Sequence, residues 1–137
     1  MKRTIIIASH SKMAEGLKDT LEFVSGGSGK VIALSAYLDN SPVEGVISDL
    51  MERFDEDEEV VVLTDIAFGS VNQQFFKYRN RPHTHIISGM TLPLALQITM
   101  EPDQEYLSEA CLQKIIENAK AEIKYMQDVE DKDEEDE

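Results

Sequence analysis

Short unbroken apolar runs alternate along the chain with segments whose apolar residues recur every three to four positions. The first pattern is that of a strand buried on both faces, and the second that of a helix with one face in a core. Thr4 to Ser9 predicts a first strand. Lys12 to Ser25, with Met13, Leu17, Leu21 and Val24 in phase, predicts a helix that stops at Gly26-Gly27. Lys30 to Ala36 supplies a second strand. Ser41-Pro42 then opens a helix with proline at its first position and Val43, Val46, Ile47, Leu50 and Phe54 turned inward. Asp55 to Glu59 reads as a loop, and the β-branched run Val60 to Thr64 as a central strand.

Ser70 to Tyr78 predicts a third helix, with Val71, Gln74, Phe75 and Tyr78 on one face and Arg79-Asn80-Arg81-Pro82 as its stop. His83 to Ser88 is a short strand, followed by a turn at Gly89. Leu92 to Thr99 is a short helix entered through proline and broken at Glu101-Pro102. Tyr106 to Lys120 is a longer amphipathic helix carrying Leu107, Ala110, Leu112, Ile115, Ile116 and Ala119. Ile123 to Val129 fits either an extension of that helix or a fifth strand.

Four strand-helix units in succession imply an α/β fold: a three-layer, doubly wound, mostly parallel sheet of strand order 2-1-3-4 with helices on both faces. Chain direction reverses between the first and third strands, and such sheets bind and react in the crevice at their carboxyl ends there. The first strand ends at His10 and the third at Thr64-Asp65. Residues more than fifty positions apart are thereby expected side by side.

That pairing has a chemical use. A carboxylate accepting the proton of one ring nitrogen sets the tautomer and leaves the other nitrogen as a nucleophile. A phosphoryl group taken up there brings a dianionic load, which helix amides meet without added charge. The amides after His10 and those of Gly69-Ser70 are expected at this rim, with the hydroxyls of Ser11, Thr64 and Ser70 as further donors. Each residue also has a plainer reading, His10 as a rim or capping histidine and Asp65 as a helix N-cap. Their shared place at the switch point is what favours chemistry. His83 and His85 share a strand face at metal-ligand spacing, but no neighbouring Cys, Asp or Glu completes a set. Lys77, Arg79 and Arg81 suit a phosphate or acidic-partner site or, more simply, the solvated end of a helix, and Met90 either lines the rim for a partner or packs beside Leu92 and Pro93.

The 137 residues suit one domain, here residues 1–127, followed over 128–137 by an acidic tail of eight acids and one lysine whose like charges predict a solvated, disordered end. Net charge is −14, which repels nucleic acid at long range and argues against a nucleic-acid binder. No apolar run approaches the roughly 18 residues that cross a membrane, and the run Ile5 to Ala8 is short for a signal peptide. The single cysteine, Cys111, permits no intrachain disulfide. A cytoplasmic location is the expectation.

The segments ASHSKMAEGL, VVVLTDIAFGSVNQ and HIISGMTLPLAL resemble, in order and spacing, three signature regions of the IIA domain of the mannose/sorbose-type sugar phosphotransferase system. They correspond to its Ser-His-Gly at the opening of a helix, its Asp followed by Gly-Gly-Ser-Pro, and its Gly-x-Asn-Leu-Pro turn. The resemblance implies that His10 accepts a phosphoryl group from HPr and hands it to a IIB component, with no metal or cofactor. It matches Asp65 to the aspartate that holds the imidazole, Gly69 to the second glycine and Ser70 to the serine. It also implies a homodimer exchanging a C-terminal strand, for which Glu122 to Val129 is the candidate, and contact with the membrane permease components only through IIB. Phe68 stands for the first glycine, Val71 for the proline, Ser11 for the glycine after histidine and Thr91 for the asparagine. Ser-His-Ser also resembles the phosphotransfer subunit of the dihydroxyacetone kinase system, which lacks a good match to SGMTLPLAL. A non-catalytic regulatory module on the same fold is a further alternative.

Overall fold

A computed structural model describes residues 2–27, 29–39 and 42–130. Its centre is a four-stranded parallel sheet, β1 (Arg3–His10), β2 (Lys30–Ala36), β3 (Glu59–Thr64) and β4 (Thr84–Ser88), in the order β2-β1-β3-β4. The order and the parallel sense are those expected from the sequence. Along β1 and β3 the side chains alternate between two cores. Ile5, Ile7, Val61 and Leu63 pack beneath α1 (Met13–Ser25), α4 (Leu92–Met100) and α5 (Glu109–Ala121). Ile6, Ala8, Val60 and Val62 pack beneath α2 (Val43–Met51) and α3 (Ser70–Phe76). Both faces being covered is why these strands are continuous apolar runs. Each buried Val, Leu or Ile contributes about 1.5–3 kcal/mol on leaving water, so the two central strands carry much of the stability.

Several boundaries differ from the sequence reading for physical reasons. The helix α2 begins at Val43, and Pro42 precedes it in an extended conformation at the N-cap instead of occupying the first helical position. Ser41, paired with it in the sequence reading, lies outside the described residues. Val46 is exposed and Met51 is buried in its place, so the inward stripe of α2 is rotated from the expected one. The helix α3 ends at Phe76, after which Tyr78 donates its N–H to the Phe75 carbonyl in a tight turn. The helix α5 begins at Glu109, not Tyr106, because the Ser108 hydroxyl caps it by accepting the Cys111 N–H at 3.0 Å. Leu107 is buried ahead of that cap and Ala110 faces solvent. The segment after α5 neither extends the helix nor pairs as a strand within the chain. It leaves Ile123, Tyr125 and Met126 exposed around a single 3-10 turn, Met126–Asp128. Most of the acidic tail, residues 131–137, lies outside the described residues.

Glu59 is the largest departure. Assigned to a loop from the sequence, it opens β3 with no exposure at all. Its carboxylate pairs with the guanidinium of Arg3 at the start of β1, and its second oxygen accepts the Leu107 N–H at 2.6 Å. Arg3 also donates to the carbonyls of Glu101, Pro102 and Glu105. The pair therefore ties the α4–α5 connection to the amino end of the sheet, with both Glu59 oxygens and all three guanidinium nitrogens of Arg3 engaged. Breaking a buried pair costs about 3–5 kcal/mol because one charge is left uncompensated. Glu59→Gln should accordingly lower stability by roughly 3 kcal/mol in urea unfolding. The site at the other end of the sheet, about 20 Å along the strand, should keep its His10 resonances.

Candidate functional site

The register of the sheet brings His10 and Asp65 together. His10 is the last residue of β1, opposite Ala36 of β2, and Ala8 lies opposite Thr64 of β3. Asp65 therefore leaves β3 beside His10. Its Oδ2 accepts both the His10 main-chain N–H and the Nδ1–H of the ring, each at 2.8 Å. Its Oδ1 accepts the Ile66 N–H at 3.0 Å. The Asp65 side chain is 9% exposed and that of His10 40%. Burial is the largest influence on the Asp65 carboxyl and pushes its pKa up, but the His10 amide, the His10 ring and the local backbone together outweigh it. The net shift is downward from 3.8. An ionised carboxylate only accepts hydrogen bonds, so Nδ1 is a protonated nitrogen and, in the neutral imidazole, Nε2 is the one with the lone pair. That nitrogen faces the Ser70 hydroxyl at 3.2 Å.

Ser70 is carried by the first turn of α3, whose N-cap Gly69 has no side chain to cap it. A Cβ at Gly69 would stand 3.4 Å from His10 Cε1 and 3.3 Å from the Ile66 carbonyl oxygen. The glycine thus lets the helix end abut the imidazole. Three non-glycine residues on the surrounding loops, Ser11, Tyr37 and Phe68, have left-handed backbones with φ of 56°, 65° and 64°. Such strain gathers at functional loops and is held there by surrounding contacts. Phe68 is held by its N–H donating to Asn72 Oδ1 and its carbonyl accepting from Gln73 Nε2.

Of the residues singled out from the sequence, His10, Asp65, Gly69 and Ser70 come together around the imidazole. Ser11 is adjacent, but its N–H is spent on the Ala36 carbonyl at 2.8 Å, which leaves its exposed hydroxyl as the available donor. Thr64 is fully buried below the rim, its Oγ1 accepting from Asn72 Nδ2 at 2.8 Å and its carbonyl receiving the N–H groups of Gly89 and Met90. Its place is in the scaffold of the loop. Tyr37 was not singled out, yet its ring stacks on the imidazole with centroids 5.4 Å apart, and its hydroxyl donates to Ser70 Oγ at 2.7 Å. The signal available for it was its position: it directly follows β2, the strand beside β1, just as Asp65 follows β3.

His83 precedes β4 with a left-handed backbone and stacks on Tyr106, while His85 is half-buried. Burial, opposed by the charge of Glu59, holds the His85 pKa below its ordinary value. Arg81 is tied to the carbonyls of Glu58 and Pro82, Arg79 lies over the Phe76 ring, and Lys77 pairs with Glu44. Met90 is core. Among the described residues no helix is long and apolar enough to cross a membrane.

A family model described as the fructose IIA component of the phosphotransferase system, the mannose-type IIA family, matches residues 4–116. A crystal structure from Klebsiella pneumoniae, described as a candidate phosphoenolpyruvate-dependent sugar phosphotransferase system permease, is 34% identical. It covers 93% of each chain with a TM-score of 0.84. The mannose/sorbose-specific IIA subunit of Enterococcus faecalis has the same fold at 15% identity, covering 96% of this chain and 98% of its own, with a TM-score of 0.76. So does a IIA protein associated with the fucose utilization operon of Streptococcus pneumoniae, at 24% identity and 93% and 95% coverage, with a TM-score of 0.75.

Because the folded state holds the Asp65 pKa below its unfolded value, the carboxylate stabilises the fold above about pH 4. That stabilisation is lost as pH falls through the folded value. Asp65→Asn should be less stable than the parent at pH 7 by about 2 kcal/mol, the worth of a hydrogen bond to a charged group. In urea unfolding measured from pH 7 downward, that gap should close below about pH 4.

Proposed function

The chain belongs to the mannose-type IIA family of the sugar phosphotransferase system, phosphocarriers that work between HPr and a IIB component, and on that premise we propose that His10 is the residue that carries the phosphoryl group. The observation that supports this best is the 2.8 Å contact between Nδ1 and Asp65, which leaves Nε2 unprotonated and directed outward. In the step proposed, the Nε2 lone pair forms a bond to phosphorus as the bond to the donor imidazole of phospho-HPr breaks, its electron pair staying on the donor nitrogen. The proton on Nδ1 is retained, and the positive charge that develops on the ring is set against the Asp65 carboxylate. Release to the acceptor on IIB is the same step in reverse.

The transferred group needs donors for its oxygens. Ser70 offers its hydroxyl, the first-turn amides of α3 carry no side-chain cap, and the Ser11 hydroxyl lies next to the imidazole. The donor is already activated, so the chemistry calls for orientation and charge stabilisation and needs no metal or cofactor. Met13, Tyr37, Leu38, Ile66 and Phe68 are exposed apolar residues on α1 and the loops next to His10, a docking rim suited to the two carrier partners. The relay works in the cytoplasm and reaches the permease components through IIB. A homodimer exchanging the segment after α5 would cover Ile123, Tyr125 and Met126.

Incubation with phospho-HPr should transfer about one acid-labile phosphoryl group per chain, and none to His10→Ala. Wild type that takes up none marks a regulatory module on this fold instead. Asp65→Ala should keep the fold but slow uptake roughly tenfold or more, as loss of a charge-assisted bond implies. An unchanged rate rejects the orienting role of that carboxylate.

A further inference from the structure

We propose that Tyr37 is a positioning residue for phosphoryl transfer, holding the Ser70 hydroxyl so that its proton turns from His10 Nε2 to a phosphoryl oxygen. The inference rests on the reading of His10 as the phosphoryl acceptor and adds a residue that the family's three signature segments do not contain. Three contacts form one directed chain. Asp65 accepts from Nδ1 at 2.8 Å, Nε2 lies 3.2 Å from Ser70 Oγ, and Ser70 Oγ accepts the Tyr37 hydroxyl at 2.7 Å. Since Nε2 has only a lone pair to offer, the Ser70 hydroxyl donates to it, and accepting from Tyr37 strengthens that donation.

This chain poses a geometric problem that Tyr37 solves. The lone pair engaged by Ser70 is the one that must form the bond to phosphorus, so the Ser70 proton has to leave it during the reaction. With Oγ anchored by the Tyr37 hydroxyl, only the proton turns, and it meets an oxygen of the arriving phosphoryl group. The Ser70 O–H bond stays intact throughout, and no proton is exchanged with the donor. The aromatic ring, stacked on the imidazole at 5.4 Å and 29°, holds the hydroxyl in register with the nucleophile. Tyr37 adopts this position with a left-handed backbone, φ 65°, and half its surface in solvent. A tyrosine in that conformation is an unfavourable choice for a plain turn, so the contacts it makes are what distinguish the position.

Tyr37→Phe keeps the ring and removes the hydroxyl. In steady-state transfer from phospho-HPr it should lower kcat about tenfold and leave KM unchanged, the worth of an interaction realised in the transition state. In protein labelled with 15N-histidine and no phosphoryl donor, it should move the His10 Nε2 resonance downfield while Nδ1 stays in place. Because Tyr37 acts through Ser70, Tyr37→Phe should have no further effect on kcat in a Ser70→Ala background. Wild-type kcat together with a wild-type Nε2 resonance in Tyr37→Phe overturns the inference, as does a full additive loss with Ser70→Ala. Failure of the parent reading is distinguishable, because it removes phosphoryl uptake from wild type, whereas the Nε2 resonance is measured without any donor.

Discussion

A single carboxylate oxygen joins the sheet to the chemistry. Asp65 Oδ2 accepts the His10 main-chain N–H and the His10 ring N–H together, so the backbone of one strand and the tautomer of its last side chain are set by the same atom. This works only because β1 and β3 are parallel neighbours whose register brings Asp65 out of the sheet beside His10. Displacing that register by one residue would turn the carboxylate to the other face of the sheet and leave both bonds unmade. The buried runs Ile5 to Ala8 and Val60 to Leu63 are what hold the register, since a slip would expose the side chains of both cores. The position of the His10 imidazole is thus a consequence of hydrophobic packing that never touches it.

The loops around the imidazole depend on a different balance. A left-handed conformation costs a non-glycine residue about 1–2 kcal/mol, and Ser11, Tyr37 and Phe68 all adopt one. Offsetting that cost are specific bonds: Ser11 N–H to Ala36, Tyr37 hydroxyl to Ser70, and both polar groups of the Phe68 backbone to Asn72 and Gln73. The φ of 64° at Phe68 gives a physical reason for the glycine of the family pattern at this place, and the two amide side chains account for how phenylalanine stands there. Its ring, 85% exposed, leaves the imidazole uncovered and adds apolar surface to the rim. The change alters what a partner meets and leaves the His10–Asp65 contact alone.

The strands and their order were legible because apolar continuity and helix-strand alternation are local signals. The juxtaposition of His10 with Asp65 followed from topology once that order was inferred. Glu59 escaped because a charged residue beside an apolar run reads as solvated unless its partner is known, and Arg3 lies fifty-six positions away in sequence. Tyr37 escaped for a related reason: its role depends on a rotamer and on Ser70, thirty-three positions distant. Thr64 shows the converse. Its place at the end of β3 suggested a rim hydroxyl, but strand alternation turns its side chain into the core, where Asn72 engages it. The start of α5 moved because the Ser108 cap decides it.

The kind of donor next to Nε2 matters for a carrier as much as the nucleophile does. A phosphoryl group met by arginine or lysine would form charge-assisted, often bidentate bonds, about twice as strong as neutral ones. Such bonds, where stronger to the resting phosphoryl group than to the group in transit, would deepen the resting state of the carrier and slow the second transfer. The groups set beside His10 are instead a hydroxyl and uncapped helix amides, which stabilise charge without adding a cation. On the role proposed for His10, a retained Nδ1 proton facing Asp65 lets the ring take up and give back positive charge as phosphorus arrives and leaves. A neutral donor set with one ionised partner behind the imidazole therefore keeps the two directions of transfer close in energy, which is the condition for a relay between two partners.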